Sequence, residues 1–137
     1  MLVEPETMTP AAGSSAASPK GMGAARTETI RGALRDRLAE LRGEHDAVLA
    51  GLEAQGGVDA GDDVADLGTK AFAREQEMVM VSGIQAKMEQ VERALEQLAR
   101  GRYGWCERCA EEIPVARLAA FPAATQCVRC KRLEERR

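Results

Sequence analysis

IRGALRDRLAELRGEHDAVLAGL, residues 30–52, sets apolar side chains at a spacing that only a helix can use. Ile30 opens the pattern. From Leu34 through Leu38, Leu41, His45 and Val48 to Leu52 the intervals are 4, 3, 4, 3 and 4 residues, which is a heptad seam along one helix face. The helix is expected to begin at Thr27 and to stop at Gly56-Gly57. That run of roughly 30 residues would be about 45 Å long at ~1.5 Å per residue. Farther along, Ile84, Met88, Val91, Leu95 and Leu98 repeat intervals of 4, 3, 4 and 3. They predict a second long helix from near Asp63 to about Arg100. Val79, Met80 and Val81 blur this second seam, and Ser82-Gly83 suggests a kink or a close helix approach. Two matching seams joined by a short Gly-rich link predict a long antiparallel helical hairpin, a coiled coil, with its tip near 56–66.

Working outward, residues 1–26 are rich in Ala, Ser, Gly and Pro without apolar periodicity. They are expected to form a disordered tail, because such a stretch buries too little to offset its ordering entropy. Met1, Met8 and Met22 are all possible starts. The hairpin is assigned to 27–100, and Gly101-Arg102-Tyr103-Gly104 leads into a different module over 101–137. Low aromatic content (Phe72, Tyr103, Trp105 and Phe121) with abundant Ala, Leu, Glu and Arg marks the chain as mostly α. No apolar run approaches the ~20 residues of a membrane span, and the opening MLVEPETMTP lacks the pattern of a secretory signal.

Charge is distributed unevenly. Residues 28–100 carry nine basic and fifteen acidic side chains, and 101–137 carry eight and five. Between Arg42 and Lys70 there are seven acids and no lysine or arginine. The centre of that acidic gap is GDDVADLG, residues 61–68. Asp63 would cap the second helix, and Asp66 would favour the positive end of its dipole. Capping leaves Asp59 and Asp62 unaccounted for, so presentation of the acids to a partner is the other reading. A calcium loop is a poor match, since D-x-[DN]-x-[DN]-G does not occur. His45, at a seam position with no nucleophile or carboxylate dyad around it, reads as a packing residue and not a catalytic base.

All four cysteines lie in one module. Cys106-Glu-Arg-Cys109 and Cys127-Val-Arg-Cys130 give C-x2-C-x17-C-x2-C. Two such turns can converge on one ion as a tetrahedral thiolate site. Redox or disulfide pairs are the alternative, and no βαβ pattern accompanies them. Four protein ligands leave zinc no open position, so the metal (Zn2+) is expected to be structural and the protein not an enzyme. It would stabilise a segment too poor in apolar groups to hold a core alone. Reduced thiols suit a cytoplasmic protein. The inter-cysteine stretch AEEIPVARLAAFPAATQ has Arg117 as its one base, so a base-reading helix is not evident.

GRYGWCERCAEEIPVARLAAFPAATQCVRC, from Gly101, resembles the carboxy-terminal module of the DksA/TraR C4-type zinc-finger family. The resemblance rests on Tyr103-Gly104, the four cysteines, Ile113, Arg117-Leu118, Ala120, Pro122 and Ala124, and extends more softly through the hairpin. It implies a bacterial transcription regulator that binds RNA polymerase through its secondary channel. An acidic coiled-coil tip would then lie near the active site and alter initiation. The family's D-x-x-D tip pattern falls on Asp63-Val64-Ala65-Asp66, which makes Asp63 and Asp66 the partner-binding pair. Three departures stand out. Ala110 follows Cys109 where the family usually has Gly, Gly68 stands where well-known members carry Ala, and the final helix is short. Phe121 occupies a position that is basic in members responsive to guanosine tetraphosphate, so a weak or absent response is expected. Sequence-specific DNA binding is not expected, although Arg129, Lys131, Arg132, Arg136 and Arg137 form a basic tail. The alternative is a zinc-stapled helical adaptor for another protein.

Overall fold

The structure, a computed structural model, describes residues 23–54, 61 and 63–136. Among the described residues there are four helices: α1 (Ala24–Ala54), α2 (Val64–Ala99), α3 (Val115–Ala120) and α4 (Val128–Glu135). Most of the expected tail, the Gly56-Gly57 stop, Asp59 and Asp62 lie outside the described residues. Helix α1 already begins at Ala24, ahead of Thr27, with Thr27 N–H and Oγ1 both donating to Gly23 O.

Two compact units divide the chain, and both long helices contribute to each. In the unit spanning Leu38–Glu89, α1 and α2 form a helical hairpin held by Leu38, Leu41, Leu52, Val81 and Ile84, all buried. His45, Val48, Leu67 and Met88 are half-buried along the same faces. The blur in the second seam is thereby resolved, because Val81 takes the core position while Val79 and Met80 stay exposed. Each buried Leu, Ile or Val contributes about 1.5–3 kcal/mol. His45 pairs across this unit with Gln85, Nε2 to Nε2 at 3.2 Å, which satisfies a polar side chain at a seam position.

Of the kink or close approach expected at Ser82-Gly83, the close approach is overturned. Helix α2 runs unbroken through Gly83, and a Cβ there would meet nothing within 4 Å. The glycine faces away from the seam, where neither a neighbouring helix nor a backbone constraint asks for it.

The other unit joins residues up to Arg37 with those from Gln90 onward. Leu34, Val91, Ala94 and Leu98 are buried in this unit, as are the finger's Tyr103, Ile113, Ala123 and Ala124. Helix α2 ends in a Schellman turn. Gly101 has φ 74°, its N–H donates to Leu98 O, and Arg102 N–H reaches Gln97 O at 2.8 Å. Only glycine adopts that φ without strain, and the turn sends the chain into the cysteine module.

Candidate metal centre and acidic helix start

The first cysteine pair sits on a tight loop. Cys106 N–H donates to Glu111 O (2.8 Å), and Ala110 N–H donates to Cys106 O (2.9 Å). A single antiparallel bridge, Trp105 with Glu112, closes the loop behind them. The turn forces Ala110 to φ 64°, the one positive-φ non-glycine among the described residues. The second pair opens α4, where Cys127 is the N-cap and its sulfur accepts from Cys130 N–H at 3.5 Å.

These loops bring all four sulfurs within 4.8 Å of one another, with Cys109 and Cys127 at 3.8 Å. Zn–S bonds of ~2.3 Å set the sulfurs of a tetrahedron about 3.8 Å apart, so the donor set fits a zinc ion. All four thiols are free, so the disulfide alternative does not apply. Cys106 and Cys130 are buried and the other two half-buried. Burial raises the Cys106 thiol, but backbone N–H groups of Cys109, Cys127 and Arg108 outweigh it and hold the thiol at about 6. Burial instead pushes Cys130 up to about 12. The Cys109 sulfur and the Glu111 carboxylate raise Arg129, whose guanidinium lies 3.5 Å from Glu111 Oε1.

Few apolar groups surround this centre. Ile113, fully buried, packs with Cys106 and Cys130, and Leu118 adds to the edge. Polar contacts do much of the remaining work. Tyr103 Oη donates to Pro122 O (2.6 Å), and Arg117 Nε donates to Gln126 O (3.1 Å). Tyr103, Ile113, Arg117, Leu118, Pro122 and Ala124 therefore each have a structural reason to stand where the sequence places them.

Asp63 and Asp66 lie at the start of α2, away from the metal centre in sequence, and both are exposed. Asp63 Oδ1 accepts the Asp66 N–H at 2.8 Å, and Asp63 O takes the Leu67 N–H, so Asp63 is a capping residue. The sequence reading missed a set of polar side chains between α2 and the finger: Gln90, Arg93, Glu107 and Thr125. Its one trace in the sequence is a threonine that follows Ala123-Ala124, two residues ahead of Cys127.

The family model described as "Prokaryotic dksA/traR C4-type zinc finger" matches residues 101–136. General stress protein 16O of Bacillus subtilis is 34% identical over 104 residues, covering 74% of this chain and 64% of that protein. The RNA polymerase-binding transcription factor DksA of Haemophilus influenzae is 42% identical over 48 residues, 35% of this chain and 33% of that one. In both curated relatives the matched region thus stops short of the whole protein. Transcription factor DksA2 from Pseudomonas aeruginosa is similar in structure, with a TM-score of 0.70 at 28% identity, covering 91% of this chain and 96% of that one. With the finger matched, four thiols in zinc geometry and a helical fold shared with DksA2, residues 101–136 form a DksA/TraR C4-type zinc finger with zinc as its cofactor, in a chain similar as a whole to that family.

Proposed function

We propose that this protein is a non-enzymatic bacterial transcription regulator, cytoplasmic, that binds RNA polymerase through its secondary channel. The observation carrying this reading is the combination of a C4 finger with a helix whose exposed first turn bears Asp63 and Asp66. Cys106, Cys109, Cys127 and Cys130 hold the structural zinc. Asp63 and Asp66 form the coiled-coil tip that acts near the polymerase active site during initiation. A closed four-thiolate centre supplies no substrate position, so regulation comes from docking and not from chemistry at the metal. Neither specific DNA binding nor a strong response to guanosine tetraphosphate belongs to this reading.

The test is the double variant Asp63→Asn, Asp66→Asn. Asn caps a helix about as well as Asp. Loss of the Asp66 charge removes roughly 0.3–1 kcal/mol of dipole compensation, too little to unfold helices with buried seams. The variant should keep its helicity, zinc and capture by core RNA polymerase, yet lose its effect on a sensitive promoter in vitro. Unchanged regulation would reduce the pair to helix capping. Failure of the parent itself to bind core polymerase would remove the polymerase reading and favour the adaptor.

A further inference from the structure

Gln90 and Arg93 stand one turn apart on α2, Glu107 lies inside the first cysteine loop, and Thr125 lies just ahead of the second. A carboxylate can only accept, so the Thr125 hydroxyl donates to Glu107 Oε2 (2.7 Å) and its lone pair takes Gln90 Nε2 (3.2 Å). The Gln90 amide also donates to Ala123 O (2.6 Å). Its own Oε1 accepts Arg93 Nη2 (2.6 Å), and Arg93 Nε lies 3.8 Å from the same Glu107 Oε2. Three hydrogen bonds and one ion pair close into a ring. Thr125 is its buried member, at 3% exposure, and its carbonyl also accepts Glu107 N–H at 2.8 Å.

We propose that this ring couples the finger's metal occupancy to the stability of the last turns of α2. Two of its members are fixed by the cysteine loops and two by the helix. A bound ion holds the two loops together, and with them Glu107 against Thr125. When the ion leaves, that pair separates, and Gln90 and Arg93 face an incomplete set of partners. Water can replace partners at the exposed Arg93 and Glu107, but the buried Thr125 hydroxyl and the half-buried Gln90 amide lose theirs at a larger cost. The coupling runs both ways. Whatever factor the ring adds to helix protection on metal binding, it adds equally to metal affinity.

This inference is independent of the polymerase reading and needs only the full-length chain and zinc. Hydrogen–deuterium exchange of peptides covering 90–99 would be measured zinc-loaded and after chelation. Zinc affinity would be measured by competition with a chromophoric chelator. The variants are Gln90→Met, which keeps a good helix former, and Thr125→Val, which keeps the shape and removes the hydroxyl. In the parent, zinc should slow exchange over 90–99 by about tenfold, within the range of coupled polar groups. Gln90→Met should still bind zinc, lose most of that slowing, and weaken zinc binding by a matching factor. Thr125→Val should do the same, and if it does not fold, Gln90→Met carries the test alone. Undiminished zinc-dependent protection in Gln90→Met, or none in the parent, would overturn the proposal.

Discussion

Replacing Ala110 by glycine should make the finger bind zinc more tightly. Ala110 has φ 64° because the loop that directs the Cys106 and Cys109 sulfurs to one point needs a left-handed residue there. Its methyl group is exposed, so little packing is lost on its removal. For a residue with a Cβ, the left-handed conformation costs roughly 1–2 kcal/mol. Glycine escapes that strain, but its freer unfolded chain gives back about 0.4–1 kcal/mol. The difference favours the variant by about 0.5–1 kcal/mol. Folding of such a small module is coupled to metal binding, so this gain appears as zinc affinity. It amounts to roughly a two- to fivefold lower dissociation constant, with one unit of log affinity corresponding to about 1.4 kcal/mol. Competition against a chromophoric chelator at fixed pH resolves a twofold change. The hydrogen bonds from Cys106 N–H to Glu111 O and from Ala110 N–H to Cys106 O should persist in the variant, visible as slow amide exchange. An unchanged or weaker affinity would mean that the turn is not strained by its alanine, and the reasoning from φ would fail.

Gly83→Ala should stabilise the hairpin unit by up to about 1 kcal/mol in denaturant unfolding, the helix-interior difference between the two residues, because an added Cβ meets nothing within 4 Å. A loss of stability would restore a close approach there. Chelation should erase ordered NMR signals from 104–130 while far-ultraviolet circular dichroism keeps most of the α1 and α2 signal, since metal binding is folding energy for the finger and reaches α2 only at its last turns. Zinc affinity should also climb as pH rises from 6 towards 9. Cys106 is already largely thiolate above about 6, but Cys130, pushed to about 12, must give up its proton on loading. Guanosine tetraphosphate should change promoter output little, since a polyphosphate site needs clustered Lys or Arg and Phe121 stands exposed on the finger. Strong potentiation in a reconstituted promoter assay would contradict this.

The hairpin was legible because a heptad seam states both helix and face at once. Leu34, Leu38, Leu41, Leu52, Ile84, Val91 and Leu98 are all buried at the positions their spacing gives them. Where three apolar residues ran together, at Val79-Met80-Val81, spacing alone could not choose among them, and the choice fell to the one in register with Ile84. Gly83 misled because a glycine within a helix signals either a constraint or a tolerated cost, and one sequence cannot separate the two. The four-cysteine centre was equally plain, since the pattern of its ligands is local. The ring of Gln90, Arg93, Glu107 and Thr125 was not. Its hydrogen bonds span 33 and 35 residues, and three of its members are of types that usually mark a solvated face.

That last gap has a physical reason, which also explains why the finger depends on metal. A module whose apolar centre consists of Ile113, Cys106 and Cys130, edged by Leu118, cannot be held by burial alone. What remains must come from the ion and from directed polar bonds such as Tyr103 to Pro122, Arg117 to Gln126 and the ring onto α2. Directed bonds leave no periodic trace, because each depends on a particular pair and not on a repeating face. The parts of this protein built by burial were therefore readable from spacing. The parts built by polar geometry became visible only when the cysteine loops had brought distant residues together, and there a single substitution such as Gln90→Met should be felt at both the metal and the helix.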